Sequence, residues 1–201
     1  MRSYFLRENP DAAKAERDAR FRAFFSESLQ DYTGRAFEGY SFRYGAHGKP
    51  YFADAALAGV FFSISDTAGC RVVCFSEREV GVDAENVRAR ARLPEERMVK
   101  LARRWFAPEE AEYVAGGCLS GRRRPVGRSP DGAAFAAGAP ANGASLAERF
   151  FWVWTRKEAF VKWTGDGIWS GMQGFSVLGD GRITSGRFGD DIQWAVCEAA
   201  S

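Results

Sequence analysis

Val80-Gly81-Val82-Asp83-Ala84-Glu85 is the stretch on which the reading of this 201-residue chain turns. It alternates as a strand over 80–85, so Asp83 and Glu85 project to one face and Val82 and Ala84 to the other. Working toward the N-terminus, 70–76 and 60–65 read as two further strands joined by a turn at Ala68-Gly69, and the charged turn 77–79 leads into the third. A short strand over 40–44 runs into the turn 45–50. Upstream, a helix over 11–30 is expected, with Asp11 after Pro10 as its cap and Phe21, Phe24, Phe25 and Leu29 at helical spacing.

Working toward the C-terminus, 94–106 reads as a helix with Met98, Leu101, Ala102 and Trp105 on one stripe. Pro108 and the acidic pair Glu109-Glu110 open another over 109–114. Residues 116–147 are rich in Gly, Ala, Pro and Arg and read as a flexible surface insertion. An aromatic helix over 150–163 follows, then strands over 175–178, 182–185 and 192–197. The order implies an α+β fold of two pseudo-twofold-related lobes, each a helix packed on a small antiparallel sheet. The expected divisions are a short first lobe over 1–115 that includes the acidic strand, the insertion over 116–147, and a second lobe over 148–201.

With 46% hydrophobic residues, 17 Phe and 6 Trp, the chain has ample material for a core. A net charge of +2 lacks the strongly basic footprint of nucleic-acid binding. No apolar run approaches the roughly 20 residues of a membrane helix. Charges recur through Arg2, Arg7, Glu8 and Lys14, so no signal peptide is read and the cytosol is the expected compartment. Cys70, Cys74, Cys118 and Cys197 form no CxxC pair, and His47 is the only histidine, which argues against zinc and for buried reduced thiols.

Asp83 and Glu85 on one strand face repel unless a cation or shared proton intervenes, although an Asp-x-Glu also occurs on solvated edges. In the helix carrying Trp152-Val153-Trp154-Thr155-Arg156-Lys157-Glu158-Ala159-Phe160-Val161-Lys162, spacings of four align Trp154, Glu158 and Lys162. A solvated Glu–Lys pair is the plain reading, but the same face carries Trp154, and partial burial makes an unneeded charge pair costly. Three carboxylates from a strand and a helix suit a hard cation such as Mg²⁺, which keeps other positions for water and phosphate oxygens. A lysine one turn from Glu158 is placed to neutralise charge on a phosphoryl oxygen.

The strings Gly81-Val82-Asp83-Ala84-Glu85 and 154–162 resemble the two signature motifs of 4′-phosphopantetheinyl transferases, of the larger two-lobed single-chain type. Around them fall, in order, Gly48-Lys49-Pro50, Phe62-Ser63-Ile64-Ser65, Arg104-Trp105-Phe106 followed by Glu110, the turn Gly165-Asp166-Gly167-Ile168, and Phe175-Ser176-Val177. The resemblance implies transfer of the phosphopantetheine arm of coenzyme A to a serine of an acyl or peptidyl carrier protein, with Mg²⁺ as cofactor and a monomeric enzyme. It implies Asp83, Glu85 and Glu158 as metal ligands and Lys162 on the leaving phosphate. Glu158, or Glu110 through a water, would be the base. Lys49, Ser65 and Lys157 are implied in coenzyme A binding, and Arg17 or Arg20 as a nucleotide contact, Arg20 being taken here. For Trp154 core packing and ligand contact both stay open.

Two departures stand out. Asp66 follows Ser65 where the family has a histidine associated with the 3′-phosphate, so donor binding is weakened, altered, or compensated by His47, Lys49 or an N-terminal arginine. The region before Gly48 is also short. Arg122, Arg123, Arg124 and Arg128 give the insertion a charge that can steer an acidic carrier, or merely solvate a linker. Besides an active transferase, a non-enzymatic carrier- or nucleotide-binding relative and a Mg²⁺-dependent phosphodiesterase are the readings weighed.

Overall fold

The structure is a computed structural model that describes residues 1–90, 93–116, 139–140, 143–167 and 171–199. The insertion arginines, Cys118 and Ile168 lie outside the described residues. In chain order the elements are β1 (Arg2–Arg7), α1 (Lys14–Thr33), β2 (Phe42–Tyr44), β3 (Pro50–Phe52), β4 (Phe61–Thr67), β5 (Cys70–Ser76), β6 (Val80–Asn86), α2 (Val87–Arg90), α3 (Glu95–Trp105), α4 (Pro108–Val114), α5 (Leu146–Thr164), β7 (Ile183–Phe188) and β8 (Ile192–Glu198). They build a mixed α+β fold with antiparallel sheets ordered β1-β5-β4, β2-β3 and β6-β8-β7. No helix among the described residues is long and apolar enough to cross a membrane.

The first sheet is closed by aromatic packing. Phe25 of α1 sits 5.3 Å from both Phe62 and Phe75, ring centre to ring centre, and Leu29, Phe52, Leu57 and Val73 complete the buried cluster. Helix α1 starts at Lys14 with Ala13 as its N-cap, so Asp11 is not the cap; its backbone N–H bonds Asn9 Oδ1 in the preceding turn. The helix stops at Gly34, whose φ of 71° allows its N–H to reach Gln30 O. Strand β1 has no counterpart in the sequence reading. Its Tyr4-Phe5-Leu6 run does not alternate because both faces are covered: Tyr4 packs on Phe75, while Phe5 stacks on Phe188 of the other sheet.

β6, which precedes residue 115, pairs with β8 near the C-terminus, Asp83 opposite Ala195 and Glu85 opposite Gln193. Its other neighbour is β4, and here side chains replace a backbone ladder. Ser63, Ser65 and Thr67 hydroxyls accept the N–H groups of Val82, Ala84 and Asn86 at 3.0, 3.1 and 2.9 Å. Three hydroxyls at a period of two thus join the two sheets.

Helix α5 begins four residues before the expected start, because Ser145 and Glu148 form a reciprocal capping box. It lies directly on β6 at Gly81. A Cβ there would stand 2.1 Å from Ala159 O and 2.3 Å from Trp163 N, so only glycine lets the two backbones meet.

The expected strand over 175–178 does not form. Charged side chains take its backbone groups instead. Lys157 Nζ donates to Met172 O and Phe175 O at 2.6 and 2.7 Å, Arg156 donates twice to Val177 O, and Val177 N donates to Glu110 Oε1 at 2.7 Å. Arg156 continues to Asp180 O and Ile183 O and lies over the Trp152 ring. Lys157 and Glu110 pair at 2.8 Å with neither side chain exposed. Burial raises the Glu110 pKa and lowers that of Lys157, and each charge offsets the other's shift. Burial likewise pushes the free thiols up, Cys70 to about 11 and Cys74 and Cys197 to about 12, keeping them protonated.

Two stability measurements follow. Gly81→Ala should cost about 3 kcal/mol or prevent folding, since overpacked backbone contacts cannot relax like side chains; wild-type urea unfolding would contradict the close approach. Lys157→Met should cost about 3–5 kcal/mol by stranding Glu110. Lys157→Met/Glu110→Gln should then lose clearly less than the sum of the two single changes.

Candidate active site

The hydroxyls that join β4 to β6 also aim the acidic side chains of β6. Ser65 Oγ, having accepted Ala84 N–H, donates to Asp83 Oδ1 at 2.9 Å; Thr67 Oγ1, having accepted Asn86 N–H, donates to Glu85 Oε2 at 3.3 Å. Asp83 Oδ1 also receives Lys162 Nζ at 2.8 Å, while Oδ2 is buried with no partner. Glu85 is clamped by Arg90, Nε to Oε2 at 3.2 Å and Nη2 to Oε1 at 3.4 Å. Because α5 rests on Gly81, Glu158 and Lys162 face the same region, and Glu158 has no hydrogen-bond partner among the described residues.

Asp83, Glu85 and Glu158 are each less than a tenth exposed. Burial first, then the neighbouring Asp83, pushes the Glu158 carboxyl up to about 7, with Lys162 opposing. Burial and Asp83 likewise raise Glu85, against the pull of Arg90. The region therefore concentrates negative charge where little water can screen it. This oxygen-only donor set, with the orphaned Asp83 Oδ2, fits a hard divalent cation. Among the described residues no three acidic, His or Cys side chains are already drawn together as a cage. A Mg²⁺ that retains waters and phosphate oxygens does not need a closed protein cage, so the two observations are compatible.

Glu158, Val161 and Lys162 form one wall of a cleft of about 390 Å³. Phe62, Ser63 and Ile64 of β4 form another, and the turn His47-Gly48-Lys49-Pro50 meets Gly165 and Gly167 across it. Those two glycines hold φ of 74° and 75°, and a Cβ on Gly165 would press within 3.3 Å of Lys49 Cδ. A larger cleft of about 650 Å³ beside Arg103, Phe106 and Glu112 is lined by none of the three carboxylates, whereas Glu158 and Lys162 line the smaller one, with Asp83 and Glu85 outside its lining but close enough for Asp83 to pair with Lys162.

The structure brings Asp83, Glu85, Glu158 and Lys162 into one neighbourhood, and it puts Lys49 on the cleft wall. Lys49 is tethered there, donating to Glu79 Oε2 at 2.6 Å and Trp163 O at 2.7 Å. Ser65 is turned inward, to Asp83 and Ala84. Glu110 and Lys157 sit together in the interior with their polar atoms engaged, and neither lines the cleft. Arg17 donates to Pro10 O and Ala12 O and Arg20 to Arg7 O, also away from the cleft lining. Trp154 stacks on Phe150 with ring centres 5.8 Å apart, as a core residue does. Asp66 is exposed and pairs with Arg71 at 2.8 Å, an arginine that also faces Asp18 and Glu8. Sequence reasoning passed over Thr67 and Arg90. The period-two hydroxyls at 63, 65 and 67 were a legible signal for the first; nothing in the local pattern marks the second.

Residues 79–200 match the family model of the 4′-phosphopantetheinyl transferase superfamily. The chain is 28% identical over 158 residues to a Synechocystis sp. protein that carries the provisional name 4′-phosphopantetheinyl transferase slr0495, covering 76% of this chain and 52% of that protein. It is 30% identical over 129 residues to the 4′-phosphopantetheinyl transferase HetI of Nostoc sp., covering 63% of this chain and 42% of that protein. The chain thus spans about half the length of these curated relatives. The matched segment contains α5 and the sheet β6-β8-β7 to which the acidic strand belongs, and the chain belongs to the 4′-phosphopantetheinyl transferase superfamily.

Proposed function

We propose that this chain moves the 4′-phosphopantetheine group of coenzyme A onto a serine hydroxyl of a carrier protein, with Mg²⁺ as cofactor. The observation that carries the reading is the pairing of Asp83 with Lys162 beside a buried Glu158 that has no hydrogen-bond partner among the described residues, an arrangement with both an appetite for a cation and a cation of its own. In the reaction the serine oxygen forms a bond to the phosphorus that carries pantetheine. The bond from that phosphorus to the bridging oxygen breaks, and adenosine 3′,5′-bisphosphate leaves.

Asp83, Glu85 and Glu158 are the residues that would hold the divalent ion, which when bound draws charge from the diphosphate oxygens. Glu158, which faces the cleft, takes the serine proton, whereas Glu110 is engaged in the interior with Lys157. Lys162, one turn further along α5, faces the charge that grows on the leaving phosphate. Lys49 exchanges its Glu79 contact for a nucleotide phosphate at the mouth of the cleft. The buried Glu110–Lys157 pair supports α5 rather than touching substrate.

Incubation with coenzyme A, Mg²⁺ and apo carrier proteins, followed by intact-mass measurement, should add one phosphopantetheine arm per carrier. Chelation of the metal should stop the reaction, and Glu158→Gln should slow it about 100-fold or more. Failure to modify any fatty-acid, polyketide or peptide-synthetase carrier would overturn the proposal, as would wild-type turnover in both Asp83→Asn and Glu158→Gln.

A further inference from the structure

The two carboxylates of β6 are each met by one basic side chain, but the two partners are held very differently. Lys162 rises from the 19-residue helix α5, is about one-third exposed, and leans on Ile64 O as well as Asp83. Arg90 closes the four-residue helix α2, is 60% exposed, and has no partner but Glu85 among the described residues. Its fork covers both oxygens of a carboxylate that is itself buried. Asp83 and Glu85 stand two residues apart on one strand face, about 7 Å along the strand. Arg90 and Lys162 therefore flank the same pair of acids from opposite ends.

A guanidinium binds carboxylate and phosphate oxygens with the same planar geometry, so a diphosphate is a direct competitor for Arg90. While the arginine stays on Glu85, a free divalent ion must displace it to use that carboxylate. We infer that Arg90 is a transferable counter-ion: it pairs with Glu85 until the donor enters, passes to the donor's diphosphate on binding, and so couples entry of the metal to entry of the donor. The inference rests on the proposed site and makes Arg90 a positioning residue for it. Arg88 serves as a control. It shares α2, is 71% exposed, and among the described residues reaches only Asp190 at 3.7 Å, so its removal changes the local charge without touching Glu85.

The test is calorimetric titration of Mn²⁺ into the full chain, with and without coenzyme A and with no carrier present. In the wild-type protein coenzyme A should tighten Mn²⁺ binding about tenfold or more. Arg90→Gln should raise the affinity for Mn²⁺ alone about fivefold, the scale of an exposed ion pair, and shrink the coenzyme A effect to match. Arg90→Lys should fall between, and Arg88→Gln should follow the wild type. An Arg90→Gln protein with unchanged or weaker binding of Mn²⁺ alone and an intact coenzyme A effect overturns the counter-ion role while leaving the transferase reading standing. A wild-type protein that binds no Mn²⁺ under either condition overturns both.

Discussion

Three hydroxyls decide how the two sheets meet. Between β4 and β6 there is no shared backbone ladder; Ser63, Ser65 and Thr67 reach across to main-chain N–H groups instead. A hydroxyl can accept one bond and donate another, and a backbone carbonyl cannot. At Ser65 and Thr67 the spare proton goes to Asp83 and Glu85, so the connection that joins the sheets also sets the carboxylate rotamers. Ser63 lies opposite the Gly81 end of the strand, where no side chain exists to receive a proton. The acidic groups are thus held by the framework itself.

The second constraint is buried charge used as scaffolding. Within the stretch 156–158 three consecutive ionisable side chains have separate destinies. Arg156 and Lys157 turn into the interior and hold the irregular chain 172–183 by its carbonyls, while Glu158 turns toward the cleft. Helical geometry separates them, since neighbours differ by about 100° around the axis. The Arg156 guanidinium has carbonyl and hydroxyl acceptors rather than a paired carboxylate, so hydrogen bonds, the Trp152 ring and the charge of nearby Asp180 together offset its desolvation.

What was legible in the chain was what depends on local pattern. The alternation over 80–85 and the two-residue turn at Ala68-Gly69 appear in the structure within a residue or so, as do the helices around Met98 and Pro108. The facing of Asp83 and Glu85 follows from strand geometry, and that of Glu158 and Lys162 from helix geometry. The failures were non-local. β1 is a strand only because β5 and Phe188 cover its two faces. The run 175–178 looks like a strand but loses its backbone groups to α4 and α5 side chains. The mutual burial of Glu110 and Lys157 as a pair was likewise not legible, because α4 and α5 meet only in the folded chain. Arg90 went unnoticed because a clamp five residues from Glu85 depends on how the chain turns after β6.

The contact at Gly81 has a consequence for how such a site can change over generations. The separation between β6 and α5 there is set by main-chain atoms, Gly81 against Ala159 O and Trp163 N, with no side chain as a spacer. Core residues elsewhere on α5 can be exchanged for others of different bulk, and the helix will tilt or slide, but it pivots about a point that does not move. The reach from the acidic strand to the lysine is then inherited with the backbone.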